Sequence, residues 1–166
     1  LVNDAKSVDP EVVNAVRAAR ESGIRVAIAS GRAWHEMDDV IEAMPCLRYF
    51  VCTNGAYVMD KEEQKELVHI TLDKTRAMDL VRKLMTYGVF VEAYVKAEIF
   101  GQYPVVGNET AQAEHFFRPN IRPFILKTRT MVPDLLAHLE SLPEGPEKIQ
   151  IFYGDERIRE RILADL

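Results

Sequence analysis

The sequence has little cysteine and no long hydrophobic run. Its two cysteines, Cys46 and Cys52, lack the spacing of a CxxC pair, and this fits reduced thiols in the cytosol better than a disulfide framework. Apolar runs such as 49–52 are far shorter than the roughly 20 residues of a membrane-spanning helix. The first residues show no basic region followed by an apolar stretch, the pattern of a signal peptide. We therefore predict a cytoplasmic protein without a membrane partner.

An excess of positive charge is also absent. The 166 residues include 21 basic and 26 acidic side chains, for a formal net charge of −5, and the lysines and arginines are scattered. The sequence thus predicts no broad basic face, which argues against a nucleic-acid partner. No two of the eight glycines have the spacing of a GxGxxG motif or of a P-loop. This weakens an interpretation as a nucleotide-binding domain.

What the chain does contain is an alternation of helical and strand patterns. Hydrophobic residues make up 48% of it, enough for a globular core. Asp9 and Pro10 suit the start of an amphipathic helix, and Gly23 suits its end. The predicted order of helix, strand, helix and strand covers residues 10–22, 24–29, 33–44 and 49–53. Buried strands joined by such short connections predict right-handed crossovers and a parallel sheet, so the fold class is α/β.

The second part of the chain has a different character. Residues 56–59 and 67–72 form a predicted hairpin around a charged stretch, and Asp73 caps the next predicted helix. Three prolines interrupt residues 104–130, where only a short helix near 110–117 is predicted. The other predicted elements are strands at 89–95, 98–103 and 148–153 and helices at 132–142 and 155–166. The predicted domains are a core over 1–59, a hairpin or linker over 60–72 and an α+β domain over 73–166.

Small polar residues and glycine follow both strands of the predicted core. These are Ser30-Gly31-Arg32 and Thr53-Asn54-Gly55, at the sheet edge where open α/β sheets bind ligands. A hydroxyl beside the amides of a following helix suits an anion such as phosphate. The alternatives are that Ser30 only caps the helix, that Asn54-Gly55 is only a turn with positive φ, and that Arg32 is solvated.

A metal site is not predicted from this sequence. The four histidines lie in separate segments without metal-ligand spacing. Gly154-Asp155-Glu156 follows a predicted strand, but no second carboxylate converges there, so Asp155 is interpreted as a helix cap. We assign no metal ligand and no catalytic residue.

The order of these motifs resembles one known family. The strand ending Ala29-Ser30-Gly31-Arg32, the helix before it, and the later strand ending Asn54-Gly55-Ala56 are similar to the haloacid dehalogenase-like (HAD) superfamily. Within that superfamily the resemblance is to the Cof-type phosphatases with a large α/β cap. It implies a partial HAD-like Rossmannoid core with a parallel sheet, plus most of an α+β cap domain.

The resemblance also implies an activity. Members of this family are Mg²⁺-dependent phosphatases in which one aspartate forms an aspartyl-phosphate and a second acts as acid and base. The implied substrate is a small phosphorylated metabolite, a phosphate monoester of the sugar-phosphate type. By resemblance, Ser30, Gly31 and Arg32 bind phosphate, and Asn54 and Gly55 lie in the substrate pocket. The cap usually selects the substrate, so Glu92, Tyr94 and Tyr103 are candidates for that role, although alternation on a half-buried sheet explains them equally well.

The sequence departs from the family pattern at both ends. The family's Asp-x-Asp-Gly-Thr motif does not occur in it, and Leu1 resembles the position directly after that motif. We therefore expect both catalytic aspartates to precede Leu1, and the phosphate-neutralising lysine and Mg²⁺ ligands to follow Leu166. Without them the segment is predicted to be inactive. The alternative is a catalytically inactive binding or interaction module of HAD-like fold.

Overall fold

The computed structural model describes Asn3 and residues 7–166. The chain divides into two compact units, Leu1–Ile70 and Thr71–Leu166. The described elements of the first unit are α1 (Pro10–Glu21), β1 (Ala27–Ala29), a 3-10 helix (Trp34–Met37), α2 (Asp38–Ala43), β2 (Tyr49–Cys52), a 3-10 turn (Thr53–Gly55), β3 (Tyr57–Asp60) and β4 (Lys65–His69).

The first unit contains a four-stranded sheet in the order β1-β2-β3-β4. β1 and β2 pair in parallel, with Ile28 opposite Phe50, so the predicted parallel pair of an α/β fold is confirmed. The side chains of Phe50 and Val40 are almost fully buried in the core of this unit. In β1, however, only Ile28 is buried, and Ala27 and Ala29 are exposed, so the prediction of a fully buried strand is wrong for β1.

The amino end of α1 is held differently from the prediction. The Asp9 carboxylate makes no capping bond to the helix and instead accepts a hydrogen bond from Asn3 Nδ2 at 2.8 Å. The Val12 and Val13 amides bond to the backbone carbonyl of Asp9. Pro10 occupies the first turn, as predicted.

The first strand begins later than predicted. Gly23 takes a left-handed conformation with φ of 83°, and the Ile24 amide donates to the Ala19 carbonyl at 3.0 Å. Ile24 therefore belongs to the stop signal of α1 rather than to β1. Its side chain is exposed.

The predicted hairpin forms, and one of its strands also pairs with the parallel sheet. β3 pairs antiparallel with β2 as well as with β4, so the hairpin extends the sheet of the first unit. Arg48 supports this arrangement, because its Nε and Nη2 donate to the buried Asp60 carboxylate at the end of β3. The Arg48 guanidinium holds the pKa of Asp60 below its usual range.

The second unit has its own mixed sheet, in the order β7-β6-β5-β8. β5 pairs antiparallel with β6 and β8, while β6 and β7 are parallel. The elements are α3 (Lys74–Met85), β5 (Phe90–Val95), β6 (Glu98–Gln102), α4 (Glu109–Phe116), α5 (Arg122–Thr128), β7 (Thr130–Met131), α6 (Leu135–Ser141), β8 (Lys148–Phe152) and α7 (Glu156–Asp165).

Three helices of this unit begin with an aspartate cap. Asp73, Asp134 and Asp155 each accept a hydrogen bond from a backbone amide in the first turn of α3, α6 and α7. The caps predicted at Asp73 and Asp155 are confirmed. Each satisfies an amide that has no partner within the helix.

The two faces of β5 pack against different clusters, because side chains alternate along a strand. Val91 and Ala93 join the core formed with α3, α6 and α7. Phe90 lies in an aromatic cluster with residues of α4 and α5. Glu92 and Tyr94 share the face of Phe90, and there Glu92 pairs with Arg129 at 3.0 Å.

Candidate phosphate-binding site

The loops that follow β1 and β2 are joined by backbone hydrogen bonds. The Ser30 amide donates to the Val51 carbonyl at 2.8 Å, and the Asn54 amide donates to the Ser30 carbonyl at 3.1 Å. The Thr53 amide donates to the carbonyl of Arg32 at 2.8 Å. We call residues 30–32 and 53–55 together the strand-end site. The predicted proximity of these two loops is therefore present in the structure.

Gly31 and Asn54 are in direct contact within the strand-end site. A Cβ atom at position 31 would lie 2.5 Å from Asn54 Oδ1, which is too close for any side chain to fit without displacing the amide. Asn54 and Gly55 have φ values of 58° and 98°. The Asn-Gly turn with positive φ is thus present, and it lies beside Gly31.

The Ser30 hydroxyl belongs to the first loop of the strand-end site. Its Oγ accepts a hydrogen bond from the Arg32 amide at 3.2 Å. The following 3-10 helix has Ala33 at its N-cap position, and Glu36 Oε2 accepts from the Ala33 amide at 2.9 Å. The alternative that Ser30 caps this helix is therefore wrong. Among the described contacts, the Ser30 hydroxyl accepts a hydrogen bond but donates none.

The Arg32 guanidinium contacts residues that follow it in the 3-10 helix and in α2. Its Nη1 donates to the Glu36 carbonyl at 3.3 Å and lies 3.6 Å from Asp39 Oδ1. The side chain is about a quarter exposed, at 24%. The backbone of Arg32 thus belongs to the strand-end site, whereas its charged group is held toward the start of α2.

A family comparison identifies the fold that carries this site. A family model described as haloacid dehalogenase-like hydrolase matches residues 1–155. The chain belongs to this family. The HAD-like resemblance carried by Ser30-Gly31-Arg32 and Asn54-Gly55 is therefore confirmed at the level of the family.

Individual relatives agree with this assignment. The chain is 30% identical over 114 residues to phosphatase YwpJ of Bacillus subtilis strain 168, covering 69% of this chain and 39% of that protein. A HAD-like hydrolase from Bacteroides thetaiotaomicron has a similar structure, with a TM-score of 0.74, 20% identity and coverage of 100% of this chain and 59% of that one. The HAD subclass IIB sugar phosphatase BT4131 gives a TM-score of 0.73 at 14% identity, with coverage of 99% and 58%. The chain spans less than two thirds of the length of each of these relatives.

Cys52 precedes the site but is poorly suited to act as a nucleophile. Its side chain is fully buried at the end of β2. Burial, together with the nearby charge of Glu36, raises the pKa of Cys52 to about 11. The residue therefore remains a neutral thiol at physiological pH, and its contribution to this HAD-like unit is packing.

The second unit places the three predicted substrate-selecting residues in two settings. Glu92 and Tyr94 lie together, since the Tyr94 hydroxyl donates to Glu92 Oε1 at 2.9 Å, and both are buried beside Arg129. Tyr103 lies in the aromatic cluster, with its ring centroid 5.1 Å from that of Phe90. Glu92 and Tyr94 are therefore hydrogen-bonded to each other, whereas Tyr103 packs against Phe90.

No group of three histidine, cysteine, aspartate or glutamate side chains within residue 3 and residues 7–166 could hold a metal ion. No helix in the same part of the chain is long and apolar enough to cross a membrane.

Thr53 was recognised from the sequence as a polar residue at the strand end, but no role was assigned to it. Its side chain is buried at 2% exposure, and its φ is 48°. A β-branched residue in this region is an outlier, and such strain costs about 1–3 kcal/mol. Its position between a strand and an Asn-Gly pair can be seen in the sequence, whereas its burial and its positive φ have no local signal.

Under the interpretation that the strand-end site binds phosphate, we expect Gly31→Ala to weaken that binding while leaving the free energy of unfolding within about 1 kcal/mol of the wild type. The new Cβ would displace the Asn54 amide, which is the flexible end of a side chain and can move at little cost. Phosphate binding can be measured by titration of amide chemical shifts. In an Asn54→Ala background the same substitution should have no further effect on binding. A large loss of stability would contradict this account of the Gly31–Asn54 contact.

Proposed function

We propose that this chain is the phosphate-binding part of a Cof-type HAD phosphatase. The complete protein would hydrolyse small phosphate monoesters of the sugar-phosphate type through an aspartyl-phosphate. The observation that carries the proposal is the strand-end site, in which Ser30 and Asn54 meet at the carboxyl ends of parallel strands in a chain of this family. Two relatives named as phosphatases support it.

The residues of this chain would bind and orient the substrate. The Ser30 hydroxyl would donate to a phosphate oxygen, and the Gly31 backbone would allow close approach. Asn54 and Gly55 would form the wall beside the phosphate. Arg32 would bind phosphate if its guanidinium left Glu36 and Asp39. In phosphoryl transfer such positioning and charge stabilisation account for most of the catalysis.

The described residues do not fit the implied Mg²⁺, because they contain no suitable carboxylate cluster. We therefore derive no catalytic step through a metal from them. Mg²⁺ dependence is part of the proposal for the complete protein, in which residues outside 1–166 would supply the ligands and the aspartate nucleophile.

We also propose that the second unit acts as the cap, which selects the small phosphorylated substrate. A cytoplasmic location belongs to the same proposal. It is supported by Cys46 and Cys52, both of which are free thiols in the structure.

The test compares the 166-residue chain with a form extended upstream of Leu1 to include an Asp-x-Asp segment and downstream to the full length of its relatives. With p-nitrophenyl phosphate and a panel of sugar phosphates, we expect Mg²⁺-dependent hydrolysis from the extended form only. Ser30→Ala in the extended form should lower kcat/KM by about tenfold or more, because it removes a hydrogen bond to a charged group.

Two results would contradict the proposal. Hydrolysis by the 166-residue chain of verified mass would show that the aspartates are not essential. Phosphate binding without turnover by the extended form would favour the inactive binding module instead.

A further inference from the structure

The Thr53 hydroxyl is buried without a hydrogen-bond partner in the part of the chain that the structure describes. The whole residue is only 2% exposed. Buried hydroxyls in native proteins nearly always have a partner, because an unpaired one loses its hydration without compensation. The position therefore needs an acceptor or donor that the described residues do not supply.

The backbone at this position is also one that threonine rarely adopts. Thr53, Asn54 and Gly55 have φ values of 48°, 58° and 98°, three left-handed residues in succession. Glycine and asparagine tolerate this conformation, whereas a β-branched side chain is disfavoured in it. Selection for stability alone would not favour threonine here, and strained backbone of this kind concentrates at functional sites.

The location of Thr53 connects both features to the strand-end site. Its amide donates to the Arg32 carbonyl, and the amide of the next residue, Asn54, donates to the Ser30 carbonyl. The same turn holds the Asn54 side chain against Gly31. Thr53 is thus bonded to one loop of the site and adjacent in sequence to the side chain that forms its wall.

We propose that Thr53 is a further binding residue of the phosphate site. Its hydroxyl forms a hydrogen bond to a phosphate ion in the strand-end site, directly or through one bound water. The ligand then supplies the partner that the described residues do not provide. This inference rests on the proposed function, since it requires phosphate to bind beside Ser30.

The test uses inorganic phosphate and the 166-residue chain, with binding followed by amide chemical shifts and stability followed by thermal unfolding. Thr53→Val keeps the shape of the side chain and removes only the hydroxyl. We expect phosphate affinity to fall about tenfold. The midpoint of thermal unfolding should not fall and should rise by about 2–4 °C, because an unpaired buried hydroxyl is removed.

Two companion variants make the result specific. Thr53→Ser retains the hydroxyl and should keep phosphate affinity within about twofold of the wild type. Thr130→Val makes the same chemical change at an exposed threonine of β7, and it should leave the affinity unchanged. If only the methyl group of Thr53 mattered, through positioning, Thr53→Ser would lower the phosphate affinity and Thr53→Val would not.

The outcomes separate this inference from the function on which it rests. If the wild type binds phosphate and Ser30→Ala weakens binding while Thr53→Val does not, the role of Thr53 is overturned and the phosphate site remains. A thermal midpoint that falls together with affinity in Thr53→Val would also overturn it, because the hydroxyl would then be structural. If the wild type binds no phosphate at the strand-end site, both proposals are wrong.

Discussion

Replacing Arg129 with methionine is expected to lower the free energy of unfolding by about 3–5 kcal/mol. The Arg129 side chain is 4% exposed and that of Glu92 is fully buried. Arg129 donates from Nε to Glu92 Oε2 at 3.0 Å and from Nη2 to Glu92 Oε1 at 3.2 Å. Without the guanidinium, the Glu92 carboxylate would stay in the interior without this positive charge beside it, while it keeps the hydrogen bond from the Tyr94 hydroxyl.

The cost comes from the charge left unpaired, and not from the pair being strongly stabilising. Double replacement of Glu92 and Arg129 by methionine should therefore recover most of the lost stability, because an apolar pair of similar volume often substitutes for a buried ion pair. Urea unfolding followed by circular dichroism measures both effects. Arg82→Met is the matched control, since Arg82 pairs with Asp79 at an exposed position and its loss should change little. Equal destabilisation in the single and double variants would contradict this explanation.

Phe90→Ala is expected to destabilise the second unit by about 3–5 kcal/mol. The Phe90 ring is fully buried, and its centroid lies 4.9 Å from that of Phe117 and 6.0 Å from that of Phe152. Removing it leaves a cavity in the aromatic cluster that α4 and α5 form with the sheet. Phe90→Leu should have a smaller effect because it fills part of that space. Urea unfolding again provides the measurement.

Gly101 lies directly against the Phe90 ring and allows a second test of this packing. A Cβ atom at position 101 would lie 2.4 Å from Phe90 Cζ, so Gly101→Ala alone should cost about 1–3 kcal/mol through overpacking. In the Phe90→Ala background the ring is gone, and the added methyl group should be neutral or stabilising. The double-mutant cycle should therefore show a coupling of about 1 kcal/mol or more. Independent, additive effects would contradict the contact between Phe90 and Gly101.

Elements with strong local signals were predicted well. α3 has an aspartate cap at Asp73 and a left-handed Gly88 after its end, and both signals are local in the sequence. The approach of Ser30 and Asn54 was also predictable, because the carboxyl ends of neighbouring parallel strands lie at one sheet edge.

Elements that depend on distant partners were not predicted. β7 is only two residues long and exists through its parallel pairing with β6, in which Thr130 lies opposite Phe100. α5 was missed because prolines suggested irregular structure, although Pro123 lies in its first turn, where proline is tolerated. The pairing of β3 with β2 was not predicted, because it has no local signal.

In the candidate site, too, features set by neighbouring residues were predictable, and features set by distant residues were not. The positive φ of Asn54 and Gly55 follows from their residue types. The direction of the Arg32 guanidinium does not, because it depends on which carbonyl and carboxylate groups the next helical turn presents. The burial of Thr53, and the lack of a partner for its hydroxyl among the described residues, also had no local signal, since both arise only when the two loops are in place.

By itself, the sequence determined the α/β fold class, the helix boundaries set by aspartate and glycine, and the family to which the strand-end motifs belong. These depend on residues near one another along the chain, where propensity, capping and hydrophobic period act. The tertiary structure decided the pairing of Glu92 with Arg129, the contact of Gly31 with Asn54, and the strained, buried state of Thr53. Glu92 and Arg129 are 37 positions apart in the sequence, and Gly31 and Asn54 are 23 positions apart. Thr53 and Arg32, which its amide contacts, are 21 positions apart. Only packing of the completed fold selects such distant partners.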